Sequence, residues 1–194
     1  YLISITGYQC PGAPQTVPVI VTPLITSNIL ADTSFCPGTI VNLPDYQTAP
    51  AGAQISWTNS STQTGLGASG NGQIPNFTGT DNNGQVSSST VTIEASFNGC
   101  TNDIDTFEII INSNPSADEF INPSSGLNCQ FDPIQIGIIN APEPNTVNWN
   151  GPSIIGATNT PTIQINLDGI YYYTLTANST GCSSTDSIFI EAPD

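Results

Sequence analysis

Alternating apolar strands, Gly-bearing turns between them and the lack of any helical period predict an all-β fold, arranged as sandwich modules in series. The runs at residues 1–6, 90–97 and 171–177 alternate with a period of two, as expected where one face of a strand is buried. No stretch of helical length spaces its apolar residues by three and four. Gly, Pro and β-branched residues interrupt every candidate helix.

The strands recur in a pattern. Gly7-Tyr8-Gln9-Cys10, Asn98-Gly99-Cys100 and Thr180-Gly181-Cys182 each make a turn, a cysteine and then an apolar run, which reads as a closing hairpin. Two beginnings match as well, since Ser34-Phe35-Cys36 and Leu127-Asn128-Cys129 each set a cysteine just before an alternating strand. Trp57 and Trp149 follow those cysteines at nearly equal distances, each in a strand-like run. The order Cys, Trp, Cys is that of an immunoglobulin-like sandwich with Trp57 and Trp149 in its cores. The predicted organisation is the closing hairpin of a truncated module at 1–23, a full module at 24–114 and a second at 115–194. Pro-bearing seams at Thr22-Pro23, Asn114-Pro115 and Ala192-Pro193 leave little linker, which predicts a semi-rigid rod.

Composition narrows the function. The chain has no Lys, Arg, His or Met and 15 acidic residues, for a net charge of −15. Ser-His, Cys-His and Lys Schiff-base mechanisms all need a residue that is missing, so no enzymatic activity is expected. Nucleic acid and anionic membranes are held by Lys and Arg, so neither is an expected partner. No run approaches the ~20 apolar residues of a membrane helix, and no direct membrane insertion is predicted. At 37% hydrophobic residues the chain is too apolar for a disordered acidic tail.

Five cysteines without metal-ligand spacing and without His read as disulfides in an oxidising, exported setting. Pairing Cys36 with Cys100 and Cys129 with Cys182 ties the first core strand of each module to its last hairpin. Cys10 is then left for a partner in the preceding module, with a free thiol as the alternative. Each such bond closes a loop of roughly 50 to 65 residues, worth about 4 kcal/mol in the chain-entropy model.

Three further groups of residues have functional readings. Asp103, Asp105 and Glu108 are expected to meet Asp118 and Glu119 across the module junction. With no basic side chain to neutralise them, Ca²⁺ or Na⁺ is the available counter-charge, Ca²⁺ being the ion that would stiffen the joint, against the competing reading of solvated surface carboxylates. Asp81-Asn82-Asn83-Gly84 has the flavour of a calcium loop but lacks the terminal Glu, and reads as a hairpin turn. Tyr172 must face the opposite way from Tyr171 and Tyr173, and one of those faces is core. Tyr171, Tyr173, Tyr46 and Phe77 are the candidate platform for a carbohydrate-binding reading. Asn59-Ser60-Ser61, Asn76-Phe77-Thr78 and Asn178-Ser179-Thr180 match the N-glycan acceptor pattern.

Ile55-Ser56-Trp57-Thr58-Asn59, the run at residues 74–80 and Phe97-Asn98-Gly99-Cys100-Thr101 resemble the PKD-like repeats of giant Bacteroidetes surface proteins. The runs at residues 169–177 and 181–188 are similar to the way such repeats end. The resemblance implies a β-sandwich repeat of an extracellular, cell-surface adhesin or filament of the SprB-like gliding-motility kind, exported by the type IX system. Its implied partners are neighbouring repeats of the same chain, with surface polysaccharide or other cell-surface proteins as further candidates. Such repeats also serve as spacers of exported hydrolases. A WDFGDG-like motif is absent, so the resemblance assigns no residue a role.

Overall fold

A computed structural model describes residues 24–80, 82–101, 104–127, 133–141 and 145–192, with Pro18, Val21 and the backbone of four short strands before them. These four are β1 (Leu2–Ile3), β2 (Thr6–Gly7), β3 (Cys10–Pro11) and β4 (Gln15–Thr16). β2 pairs with β3 and β1 with β4, both antiparallel.

The next ten strands are β5 (Thr26–Ser27), β6 (Thr33–Phe35), β7 (Ile40–Val41), β8 (Thr48–Ala49), β9 (Gln54–Asn59), β10 (Ser69–Asn71), β11 (Phe77–Thr78), β12 (Ser87–Phe97), β13 (Cys100–Thr101) and β14 (Asp105–Ile111). Their main sheet runs β10-β9-β12-β14-β6, with β13 beside β12 and the small pairs β11-β7 and β5-β8 completing the unit. β6 is the one parallel neighbour in that sheet, lying along the end of β14 from Ile109 to Ile111. Alternation along β12 sends Val91, Ile93 and Ala95 inward. They meet Val41, Trp57, Leu66, Phe107 and Ile109 in one buried cluster.

The last seven strands are β15 (Asp118–Asn122), β16 (Ile134–Ile139), β17 (Asn145–Asn150), β18 (Ile154–Ile155), β19 (Thr162–Ile165), β20 (Gly169–Ala177) and β21 (Ser183–Ile190). They form a four-stranded sheet, β15-β16-β19-β18, and a three-stranded sheet, β17-β20-β21. The inward faces of both sheets supply a second cluster, which includes Ile136, Trp149, Ile163, Ile165, Tyr171, Tyr173 and Ile188. Two separate cores in series are therefore built from residues 25–111 and 127–190.

The turns follow the local chemistry. At Asn82–Gln85 the two central residues, Asn83 and Gly84, have φ of 52° and 71°, the left-handed pair that a two-residue hairpin turn requires. Asn98 and Gly99 repeat the arrangement between β12 and β13, at 50° and 82°. No α-helix occurs among the described residues. One 3₁₀ turn over Thr62–Thr64, which periodicity did not anticipate, is capped by the Ser61 hydroxyl and closed by Gly65 at φ 97°. Within those same residues no helix is long and apolar enough to cross a membrane.

Both tryptophans occupy their predicted core positions, 5% and 3% exposed for Trp57 and Trp149. Trp57 packs against Gly70 of β10, where a Cβ would come within 2.4 Å of the ring. Gly70→Ala is expected to destabilise the first unit by about 1–3 kcal/mol, the usual cost of overpacking a filled core. Urea unfolding would measure it, and an unchanged midpoint would count against the packing account.

Candidate functional site at the junction of the two cores

β14 ends at Ile111, and the chain reaches β15 through residues 112–117. The Asn112 N–H donates to the Phe35 carbonyl at 2.8 Å, which holds the linker against the end of β6. Across the junction, the Ser184 hydroxyl at the start of β21 donates to the Pro115 carbonyl. Beside these contacts lies a cleft of about 370 Å³ lined by Asn83, Asn114, Pro115, Tyr173, Ser184 and Asp186.

A disulfide closes the junction covalently, joining Cys36 to Cys182 over 146 residues of sequence. This corrects the expected pairings of Cys36 with Cys100 and of Cys129 with Cys182. Cys36 follows β6 and so lies near Ile111, which is opposite Ser87 at one end of β12. Cys100 is opposite Phe97 at the other end of that strand. At about 3.3 Å per residue the two ends are roughly 30 Å apart, far beyond the ~7 Å Cα separation a disulfide tolerates. Cys182, in the β20–β21 hairpin, instead comes from the next unit to meet Cys36, with Cα atoms 5.4 Å apart. Cys100 is exposed and holds the matching hairpin position in the first unit. Cys129 lies outside the described residues, as does the side chain of Cys10. A disulfide buried into the architecture in this way points to an oxidising, extracytoplasmic environment.

The acidic residues do not assemble as expected. Asp105 is opposite Ile93 while Ile111 is opposite Ser87, which puts Asp105 roughly 20 Å of strand away from the junction. There it accepts hydrogen bonds from the hydroxyls of Ser27, at 2.5 Å, and of Tyr46. Glu108 also sits back along β14, its N–H donating to Asp32 Oδ1 at 2.7 Å. Asp118 accepts from the Asn140 amide at 2.7 Å. Asp103 lies outside the described residues. Among those described, no group of three or more His, Cys, Asp or Glu is placed to hold a metal ion. The expected junction cluster is thus divided between separate hydrogen-bonding roles, because strand register separates β14 acids from those of β15.

Glu119 takes part in a different arrangement. It accepts a hydrogen bond from the Tyr173 hydroxyl, and partial burial raises its pKa, with Asp186 adding to the rise. Burial, followed by the charge of Glu119, pushes Tyr173 up to about 12 from an ordinary 10. Because the folded-state value is the higher one, the protonated hydroxyl contributes its full stability below pH 10 and loses it as pH rises toward 12. The second core is therefore expected to weaken in that window, tracked by tyrosinate absorbance with near-UV circular dichroism. Tyr173→Phe should flatten this alkaline loss, and an unaltered profile would show that Tyr173 does not drive it.

The aromatic platform is also corrected. Tyr171, Tyr173 and Tyr46 are core residues and Phe77 is half-buried against the first core. Tyr172 is the tyrosine that faces outward, beside the exposed cross-strand pair Ile170 and Phe189. Alternation separated the three tyrosines correctly but carried no information about which face the second sheet would cover. Asn59, in the first glycan acceptor pattern, uses its amide to cap the carbonyls of Ser61 and Leu66 at 2.7 and 3.1 Å.

In comparisons with known proteins, no family model and no curated protein matches this chain.

Proposed function

We propose that this chain is a spacer of an exported stalk, two immunoglobulin-like, PKD-like sandwiches in series within a bacterial cell-surface adhesin or filament. The observation that carries the reading is the Cys36–Cys182 bond, which joins one core to the next instead of stapling either one internally. A bond in that place stiffens a joint, which is what a stalk needs and a lone binding domain does not.

The strand order supports the immunoglobulin-like part. β15-β16-β19-β18 facing β17-β20-β21 corresponds to the A-B-E-D and C-F-G sheets of a seven-stranded sandwich. Tyr171, opening β20, donates back to the Leu167 carbonyl at 2.7 Å, as the corner tyrosine of such sandwiches does. Trp149 on β17 fills the place of the core tryptophan on strand C. The composition supports exposure to a harsh exterior, since a chain without Lys or Arg has no trypsin-type cleavage site and one without Met has no sulfoxide lesion. Export by the type IX system and a part in gliding belong to the same reading and rest on the resemblance.

In-frame removal of residues 24–192 from the parent surface protein is the test. The expected result is a shorter projection in electron micrographs of whole cells, with surface attachment at its tip retained. Loss of attachment at unchanged projection length would overturn the spacer reading. Carbohydrate binding is a second reading, favoured by Tyr172 and Phe189 on the outer face of β20 and β21 among the neutral side chains of Asn150 and Ser187. A glycan array signal that disappears in Tyr172→Ala would establish it.

A further inference from the structure

We propose that the Cys36–Cys182 bond is the load path of the chain, so that tension between its ends bypasses residues 37–181, which supply most of both cores. The inference rests on the spacer reading for its purpose, but its physical content is connectivity alone. β6 lies parallel to β14 and therefore runs toward the junction, ending at Phe35 immediately before Cys36. β21 begins at Ser183, immediately after Cys182, and runs away from the junction to Ile190. The bond thus joins two strands head to tail in the same sense along the series of cores. A pull entering through β6 crosses the sulfurs and leaves along β21.

The bridged segment contains every strand from β7 to β20, among them β9, β12, β14, β17 and β20. None of them lies between the two points of load. β21 itself is already extended, at about 3.3 Å per residue against a limit of about 3.6 Å, so tension along it yields almost no length. Without the bond, force would instead pass from β6 into β7 and on through every strand to β21, and the cores would open in turn. The loop released would be about 500 Å long at about 3.5 Å per residue. A bond within a unit could protect that unit only. A bond from the leading cysteine of one unit to the hairpin cysteine of the following one shields the joint as well, and the same rule can propagate along any number of repeats.

The test is to stretch the 194-residue chain by handles at its two termini in an optical trap, first oxidised and then, on the same molecule, after addition of dithiothreitol. The oxidised chain is expected to release no more than the residues outside the bond allow, about 160 Å. Reduction is expected to add the further ~500 Å, and Cys182→Ser is expected to give the long release without reductant. Peptic mapping under non-reducing conditions should recover a peptide pair joined through Cys36 and Cys182. An oxidised chain that releases the long length, or a map that lacks the pair, overturns the load path. Projection length on cells is independent of both readouts, so failure of the spacer reading would leave this result standing, and the reverse.

Discussion

Replacing Cys36 and Cys182 together by alanine is expected to lower the stability of the oxidised chain by about 5 kcal/mol, the chain-entropy value for a closed loop of 146 residues. It is also expected to divide one melting transition into two. Each core has its own buried cluster, and apart from the disulfide the junction is held by the linker and by single hydrogen bonds such as Ser184 to Pro115. With the bond in place, unfolding one unit leaves its chain tethered to the other, so the entropy gained on opening is curtailed for both. Without it, each unit melts at its own midpoint. Differential scanning calorimetry of the double variant beside the oxidised parent measures both effects. A single endotherm at an unchanged temperature would mean that the junction contributes nothing to cooperativity.

Trp149→Ala should cost the second core about 3–5 kcal/mol, the range for truncating a buried aromatic. Part of that is the contact with Tyr173, its cross-strand neighbour, whose ring centroid is 5.0 Å away at a tilt of 46°. Another part is the indole N–H, which donates to the Thr160 carbonyl at 3.0 Å and pins the loop before β19. Trp57 offers a control, because its indole N–H has no hydrogen-bond partner. Trp149→Phe should therefore be more destabilising to its unit than Trp57→Phe is to the other. Each variant keeps one tryptophan, so with Cys36 and Cys182 also replaced by alanine the fluorescence of Trp57 in Trp149→Ala reports the first unit, whose denaturation midpoint should not move. Loss of both cores together would contradict their independence.

The position of the cross-unit bond had a signal in the sequence that pairing by module overlooks. In a sandwich the second strand starts at the end opposite the last hairpin, so a cysteine before the one and a cysteine within the other lie at opposite poles. Stacking the units end to end then brings Cys36 of the first against the hairpin of the second. Tyr173 and Glu119 had no comparable signal, since their contact joins β15 of one sheet to β20 of another, which neither residue encodes locally.

The sequence by itself determined the strand class, the positions of the Asn-Gly turns and the tryptophans of the two cores, because each depends on side-chain period or on backbone preference within a few residues. It also determined that no basic group could partner the carboxylates. Only the tertiary structure decided which tyrosines turned inward, which acids met and which cysteines bonded. Alternation specifies that neighbours face opposite ways without saying which way is in, and a bond or an acidic cluster depends on strand ends that lie far apart along the chain. For Cys36 and Cys182 the deciding quantity was the length of β12, which holds the nearer cysteine in sequence at the wrong end of its own sheet.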